Sequence, residues 1–363
     1  MPCRASHLLS FLWLVSGLLY GAPSAGATEA PAVPPETANS PHIALLLPTG
    51  SEAFVQPAEA VRAGFLDASK KHSTVALPIR LYPVTEDAQN VIASYRQAVA
   101  AGAQLVVGPL TRNGVSALAA AANIVTVTTL ALNVPERTVS AAGKLYMLSL
   151  QLEAEARQVA QLALSEGRRK AFTLSEPTPL ARRIRDAFVT EFELGGGHHI
   201  AEYGYTTDAE LLDRMKQAAV LGVADMVFMA VESARVGNVR PYLSSITAYG
   251  TSQINPAAAP DSRQPAPSNM RFVDMPWMVQ PDHPAVTLYA RQGVRESDDL
   301  ERLYALGIDA FRAAELLLEG KYDSEIDGVT GKLRLGTDRQ FRRGLLVTLV
   351  EGGKLVVLGE TRR

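Results

Sequence analysis

The chain has 363 residues, 35 Lys and Arg against 37 Asp and Glu, and a single cysteine. The near-neutral balance leaves no electrostatic footprint for nucleic acid. One cysteine leaves neither a disulfide framework nor a Cys-based zinc site. The length points to two domains or lobes at roughly 100–200 residues each.

Residues 1–27 read as a secretory signal peptide: Arg4, an apolar run from Leu8 to Tyr20, and a small-x-small site at Ala25-Gly26-Ala27. The lone Cys3 precedes the apolar run, so no lipid-accepting cysteine follows it. The expectation is a periplasmic protein released by cleavage, with nothing in the sequence to support outer-membrane association. Residues 28–41, rich in Pro and Ala, read as an extended linker.

His42–Pro48 (HIALLLP) is a continuous apolar run, as expected of a strand buried on both faces. A helix over Pro57–Ser69, a strand over Ala76–Val84 and a helix over Val91–Ala101 follow. Next come a strand at Gln104–Gly108, an alanine-rich helix at Gly114–Ala122, and strands at Ile124–Leu132 and Lys144–Leu150. The alternation then restarts with a helix at Glu153–Ser165, a strand at Lys170–Leu174 and a helix at Leu180–Leu194 that stops at three glycines. His199–Tyr205 reads as a strand, Ala209–Leu221 as a helix and Asp225–Ala230 as a strand. Asn255–Ser268 reads as a mobile Pro/Ala-rich loop. A strand at Met270–Met275, a crossover with Trp277, a helix at Leu300–Glu319, and strands at Gly331–Leu335, Leu345–Val350 and Leu355–Leu358 complete the chain. Gly352-Gly353 marks a closing hairpin.

Alternating strands and helices predict an α/β fold with mostly parallel, doubly wound sheets flanked by helices. The first lobe is expected over 42–150, completed by part of 277–328. The second is expected over 151–276, with a mobile loop at 255–268, and completed by part of 329–363.

The motifs of nucleotide binding and hydrolysis are missing: no phosphate loop, no Gly-x-Gly-x-x-Gly, no Gly-x-Ser-x-Gly, no His-Glu-x-x-His and no Ser-x-x-Lys. The adjacent His198 and His199 would point to opposite faces of a strand, so they do not form a metal pair. Glu191/Glu193 and Asp298/Asp299 read as solvated helix or turn positions. No catalytic residue, metal site or cofactor is expected, and the chain does not read as an enzyme.

Four segments carry a family resemblance. They are HIALLLPTGS at the start, Val106–Leu132 continuing through Asn133-Val134-Pro135-Glu136, Leu303–Phe311 (LYALGIDAF), and Ile326–Leu335 (IDGVTGKLRL). In this order they resemble the LpoA/LppC penicillin-binding-protein activators. The resemblance implies a two-lobed type I periplasmic-binding-protein-like fold. It also implies a non-enzymatic role, activating a class A penicillin-binding protein (a peptidoglycan synthase) in the periplasm.

The same fold superfamily includes ABC-transporter receptors for amino acids, which is the competing reading. Such a receptor binds a small polar ligand in the cleft through residues at strand ends. The candidates are Ser51, Thr111, Asn133 and Ser149 in the first lobe, and Glu176, Tyr205 and Glu232 in the second. Ser51 and Thr111 also sit where helix N-caps are favoured.

Overall fold

The computed structural model describes residues 39–72, 77–137, 143–256, 268–289 and 297–360. The expected signal peptide, the linker through residue 38 and residues 257–267 of the expected loop lie outside them.

The first lobe is built from β1 (His42–Leu47), α1 (Val55–His72), β2 (Ile79–Pro83), α2 (Ala88–Ala100), β3 (Ala103–Val107), α3 (Arg112–Ala120), β4 (Thr128–Ala131) and β5 (Leu145–Met147). The strands are all parallel, in the order β2-β1-β3-β4-β5. Every residue of β1 is buried, which is why its sequence is apolar without alternation. Asp87 starts α2 by accepting a hydrogen bond from the Asn90 amide at 2.8 Å. The strand expected over Ile124–Leu132 forms only at Thr128–Ala131, because β3 offers it ladder partners only from Leu105, opposite Thr128. Ahead of it Ala122–Ile124 make a short 3₁₀ turn. β-Branched residues favour a strand, but a ladder needs a neighbour.

The second lobe comprises α4 (Leu152–Ser165), β6 (Lys170–Ser175), α5 (Pro179–Leu194), β7 (His198–Gly204), α6 (Ala209–Val220), β8 (Met226–Ala230), α7 (Ser233–Val239), β9 (Thr247–Gly250) and β10 (Met270–Asp274). Its parallel strands run β7-β6-β8-β9-β10, the same winding as in the first lobe. In both lobes the winding therefore reverses between the first and third strands. That switch is where an open α/β sheet presents a crevice at its strand ends. The short α7 and β9 had no separate signal in the sequence.

The chain then makes two short helices, α8 (Pro276–Val279) and α9 (Pro284–Thr287), and the long α10 (Asp298–Leu318). Helix α10 crosses back to pack along α1, and the Tyr304 hydroxyl donates to Asp67 at 2.7 Å. Trp277 is buried and donates from Nε1 to Glu301 at 2.8 Å. The small antiparallel sheet β11 (Ile326–Gly328), β12 (Gly331–Leu335) and β13 (Phe341–Gly344) follows. Finally β14 (Leu346–Glu351) pairs antiparallel with β10, and β15 (Lys354–Glu360) with β14. Gly352 and Gly353, at φ +56° and +76°, form the two-residue turn between them.

One apolar core runs from β1 and α1 through α10 and α4 into β6, β8 and α5. The opposite face of each sheet has its own core, around Leu46 and Val106 in the first lobe and Phe172 and Met229 in the second. The lobes thus meet through packed side chains as well as through the crossing strands.

Candidate functional site

The strand ends of the two lobes face a groove of about 190 Å³. Leucines from both sides form its walls, among them Leu110, Leu132 and Leu180. Three charges span it. Glu153 stands in the first turn of α4, where a carboxylate is favoured by the helix dipole. It accepts from Arg183 of α5 at 2.9 Å and lies 3.6 Å from Arg112 of α3. Burial opposes ionisation of Glu153, but the Arg183 hydrogen bond and the two guanidinium charges outweigh it and hold the carboxyl below its ordinary value of 4.5. These three residues, absent from the sequence-derived candidates, couple the first lobe to the second. Their signal was weak: a charge directly after a strand end, and a glutamate at a helix start.

Most of the seven strand-end candidates already hold hydrogen-bond partners within the protein. Thr111 accepts the Gly114 amide at 3.2 Å, capping α3. Ser51 donates to Glu86 at 3.2 Å. Asn133 borders the groove, but its amide donates to the Leu110 carbonyl at 3.0 Å and its oxygen accepts the Val134 amide. In the second lobe Glu176 is buried, accepts the Glu232 amide at 2.9 Å and lies 3.4 Å from Arg235. Tyr205 accepts from Asn238 at 2.9 Å, and the Arg235 guanidinium sits 5.0 Å from its ring. Glu232 is exposed at the start of α7 and makes no capping bond there. Ser149 is half-buried beyond β5 and lines a different, larger cavity. The groove therefore gathers Asn133 with Arg112, Glu153 and Arg183 rather than the seven candidates together.

Below the groove lies a second, buried charge network. Arg343 of β13 meets Glu155 of α4 at 3.1 Å, and Glu155 also accepts the Ser252 amide at 3.0 Å. Arg302 of α10 meets Asp274 of β10 at 2.8 Å. Asn255, expected at the start of a mobile loop, is instead buried and donates to Asp274 at 2.9 Å. Asp309 accepts from the Val329 and Thr330 amides and the Thr330 hydroxyl. These bonds tie α4, α10, β10 and the small sheet together at the crossings. Among the described residues no group of His, Cys, Asp or Glu could hold a metal ion. His199 instead lies 3.0 Å from the Thr173 hydroxyl.

The ion triad has a testable pH signature. A carboxyl with a folded pKa below its unfolded value contributes stability above that unfolded value, and loses it as the pH falls through the folded one. Glu153→Gln is expected to cost about 1 kcal/mol at neutral pH. The difference from wild type should vanish in acid, below the ordinary value of 4.5. Thermal unfolding followed from pH 7 downward checks this; a deficit that does not change with pH would contradict it.

No helix among the described residues is long and apolar enough to cross a membrane. The chain is 24% identical over 340 residues to the penicillin-binding protein activator LpoA of Photobacterium profundum, covering 84% of this chain and 54% of that one. A second relative of the same name, from Edwardsiella piscicida, is 27% identical over 72% of this chain and 43% of its own. The chain thus spans about half the length of the curated relatives it matches. Among solved structures, one described as a "putative branched-chain amino acid ABC transporter" from Chromobacterium violaceum is 36% identical, with a TM-score of 0.72, over 85% of this chain and all of that one. Full-length LpoA from Haemophilus influenzae shares the fold at 20% identity and a TM-score of 0.74, over 88% of this chain and 59% of that one. The two lobes are thus of the type I periplasmic-binding-protein kind. A family model described as "LppC putative lipoprotein" matches residues 35–348, nearly the whole described structure, and the chain belongs to the LppC family.

Proposed function

We propose that this chain is a periplasmic, non-enzymatic activator of a class A penicillin-binding protein, supporting peptidoglycan synthesis. The observation that carries the reading is family membership, with relatives named as activators of a penicillin-binding protein. The groove agrees with it. Its two guanidinium groups, Arg112 and Arg183, share the one carboxylate of Glu153, and Ser51, Thr111, Asn133 and Glu176 already hold hydrogen-bond partners within the protein. Activation then rests on a difference in affinity: the chain binds the active conformation of the synthase more tightly than the inactive one. Each tenfold preference shifts that equilibrium by about 1.4 kcal/mol. The test adds purified chain to a purified class A synthase and follows glycan polymerisation and cross-linking. A several-fold, saturable rise is expected. Unchanged rates at concentrations where binding is demonstrated would overturn the reading.

The likeness to the Chromobacterium violaceum structure favours a second reading, a solute receptor for an amino acid or related ligand. In that case Asn133 and the Arg112–Glu153–Arg183 set would hold the ligand. A receptor should gain about 2.7 kcal/mol of stability at a hundredfold excess of ligand over Kd. Under the activator reading, thermal unfolding with each of the twenty amino acids shows no such gain.

A further inference from the structure

The larger cavity lies to one side of the inter-lobe groove and encloses about 620 Å³, within the range of small-molecule sites. Its walls are the β5–α4 connection, one face of α4 and the turn between β12 and β13. Part of its lining is spent on the fold. Gln161 donates to Glu191 at 2.7 Å, Gln158 accepts the Leu345 amide at 3.2 Å, and Arg342 pairs with Asp338 at 3.1 Å. Arg343 is turned inward to the buried Glu155. Four other side chains line the cavity with no hydrogen bond or ion pair among the described residues: Ser149, Gln151, Arg157 and Gln340. Gln151 stands at the N-cap of α4, yet its side chain caps nothing.

These four groups have a definite chemistry. Arg157 offers a planar fork of N–H donors and one positive charge without a partner. Gln151 and Gln340 each offer both a donor and an acceptor, the complement of an amide. Ser149 adds a hydroxyl. The rim carboxylates Glu191 and Asp338 disfavour a dianion, whereas one spare guanidinium matches a single negative charge.

We propose that this cavity binds a short peptide by its free carboxylate. Arg157 takes the carboxylate, and Gln151, Gln340 and Ser149 take the neighbouring amide groups. The proposal stands independently of the activator reading, because it is argued from the lining of this cavity and tested by ligand titration without a synthase.

The experiment titrates the full chain with acetyl-Ala-Ala bearing a free carboxylate, by calorimetry and by ligand-observed NMR. Parallel arms use the same dipeptide as its C-terminal amide, and inorganic phosphate. The free acid is expected to bind at least about tenfold more tightly than the amide or phosphate, as the loss of a hydrogen-bonded charge pair implies. Arg157→Ala should remove a similar factor and Gln340→Ala a few-fold, with the thermal midpoint unchanged because Arg157 is exposed. Equal binding of acid and amide, phosphate binding as tight as the peptide, or no binding in the millimolar range would each overturn the proposal. So would a loss that follows Arg183→Ala while Arg157→Ala binds normally, since that places the peptide in the inter-lobe groove.

Discussion

Gly64→Ala should destabilise the protein by about 3 kcal/mol, the upper end of what overpacking a rigid core usually costs. Gly64 lies on α1 and Gly307 on α10, and the two helices cross with their backbones in contact. A Cβ on Gly64 would sit 2.0 Å from the Tyr304 carbonyl oxygen, and one on Gly307 would sit 2.1 Å from that of Val61. Both obstacles are helix backbone, which cannot rotate away as a side chain can. Intrinsic propensity predicts the opposite sign, since Ala is about 1 kcal/mol better than Gly inside a helix. The direction of the effect therefore separates tertiary packing from local preference. Gly307→Ala should behave alike, and the double variant should not fold. Urea unfolding gives the result: a lower midpoint at unchanged slope is expected, and a neutral or stabilising outcome would refute the close-packing argument.

Arg343→Ala should cost about 3–5 kcal/mol, because it strands a buried carboxylate. The side chains of Glu155 and Arg343 are only 3% and 4% exposed. Arg343 also donates to the Thr330 carbonyl at 3.2 Å, so its loss disturbs the small sheet as well. The pH dependence identifies the cause. Burial pushes the Glu155 carboxyl up, and Arg343 pulls it only part of the way back. A carboxyl whose folded pKa exceeds its unfolded value contributes stability fully below the unfolded value, and that contribution is lost as pH rises through the folded one. Without Arg343 the folded value rises further. The deficit of Arg343→Ala should therefore shrink as the pH falls from neutral toward the ordinary glutamate value of 4.5. Replacing both partners with apolar residues, Glu155→Leu with Arg343→Met, should recover most of the lost stability at neutral pH. A deficit independent of pH, or a double variant no better than the single one, would show that the cost lies in packing and in the lost hydrogen bonds to Ser252 and Thr330, and not in the stranded charge.

Both effects come from residues with no local signal. A glycine inside a helix reads as a mild defect, and a charged residue in a strand reads as exposed. The partners of the strand-end candidates show the same division between short and long range. Thr111 caps its own helix by accepting the Gly114 amide, whereas Glu176 is taken by the Glu232 amide and by Arg235 at the start of a helix more than fifty residues further along the chain. A cap three residues away, as at Thr111, is legible in the sequence, whereas the long-range partners of Glu176 are not.

The sequence by itself determined the alternation of strands and helices and hence the α/β class. Apolar runs such as His42–Leu47 need burial on both faces, and a parallel, helix-covered sheet supplies it. The sequence also carried the segments that mark the LppC family. Only the tertiary structure decided where β4 begins, that α10 returns to α1, and that β14 and β15 extend the second sheet. It alone brought Arg112, Glu153 and Arg183 together across the groove, and Arg157 into a side cavity with Ser149, Gln151 and Gln340. The physical reason is range. Hydrophobic period and capping act over a few residues and are written in the order of the chain. Backbone approach, buried charge pairing and shared cavities act between residues tens to hundreds of positions apart, and only the packed molecule sets which of them meet.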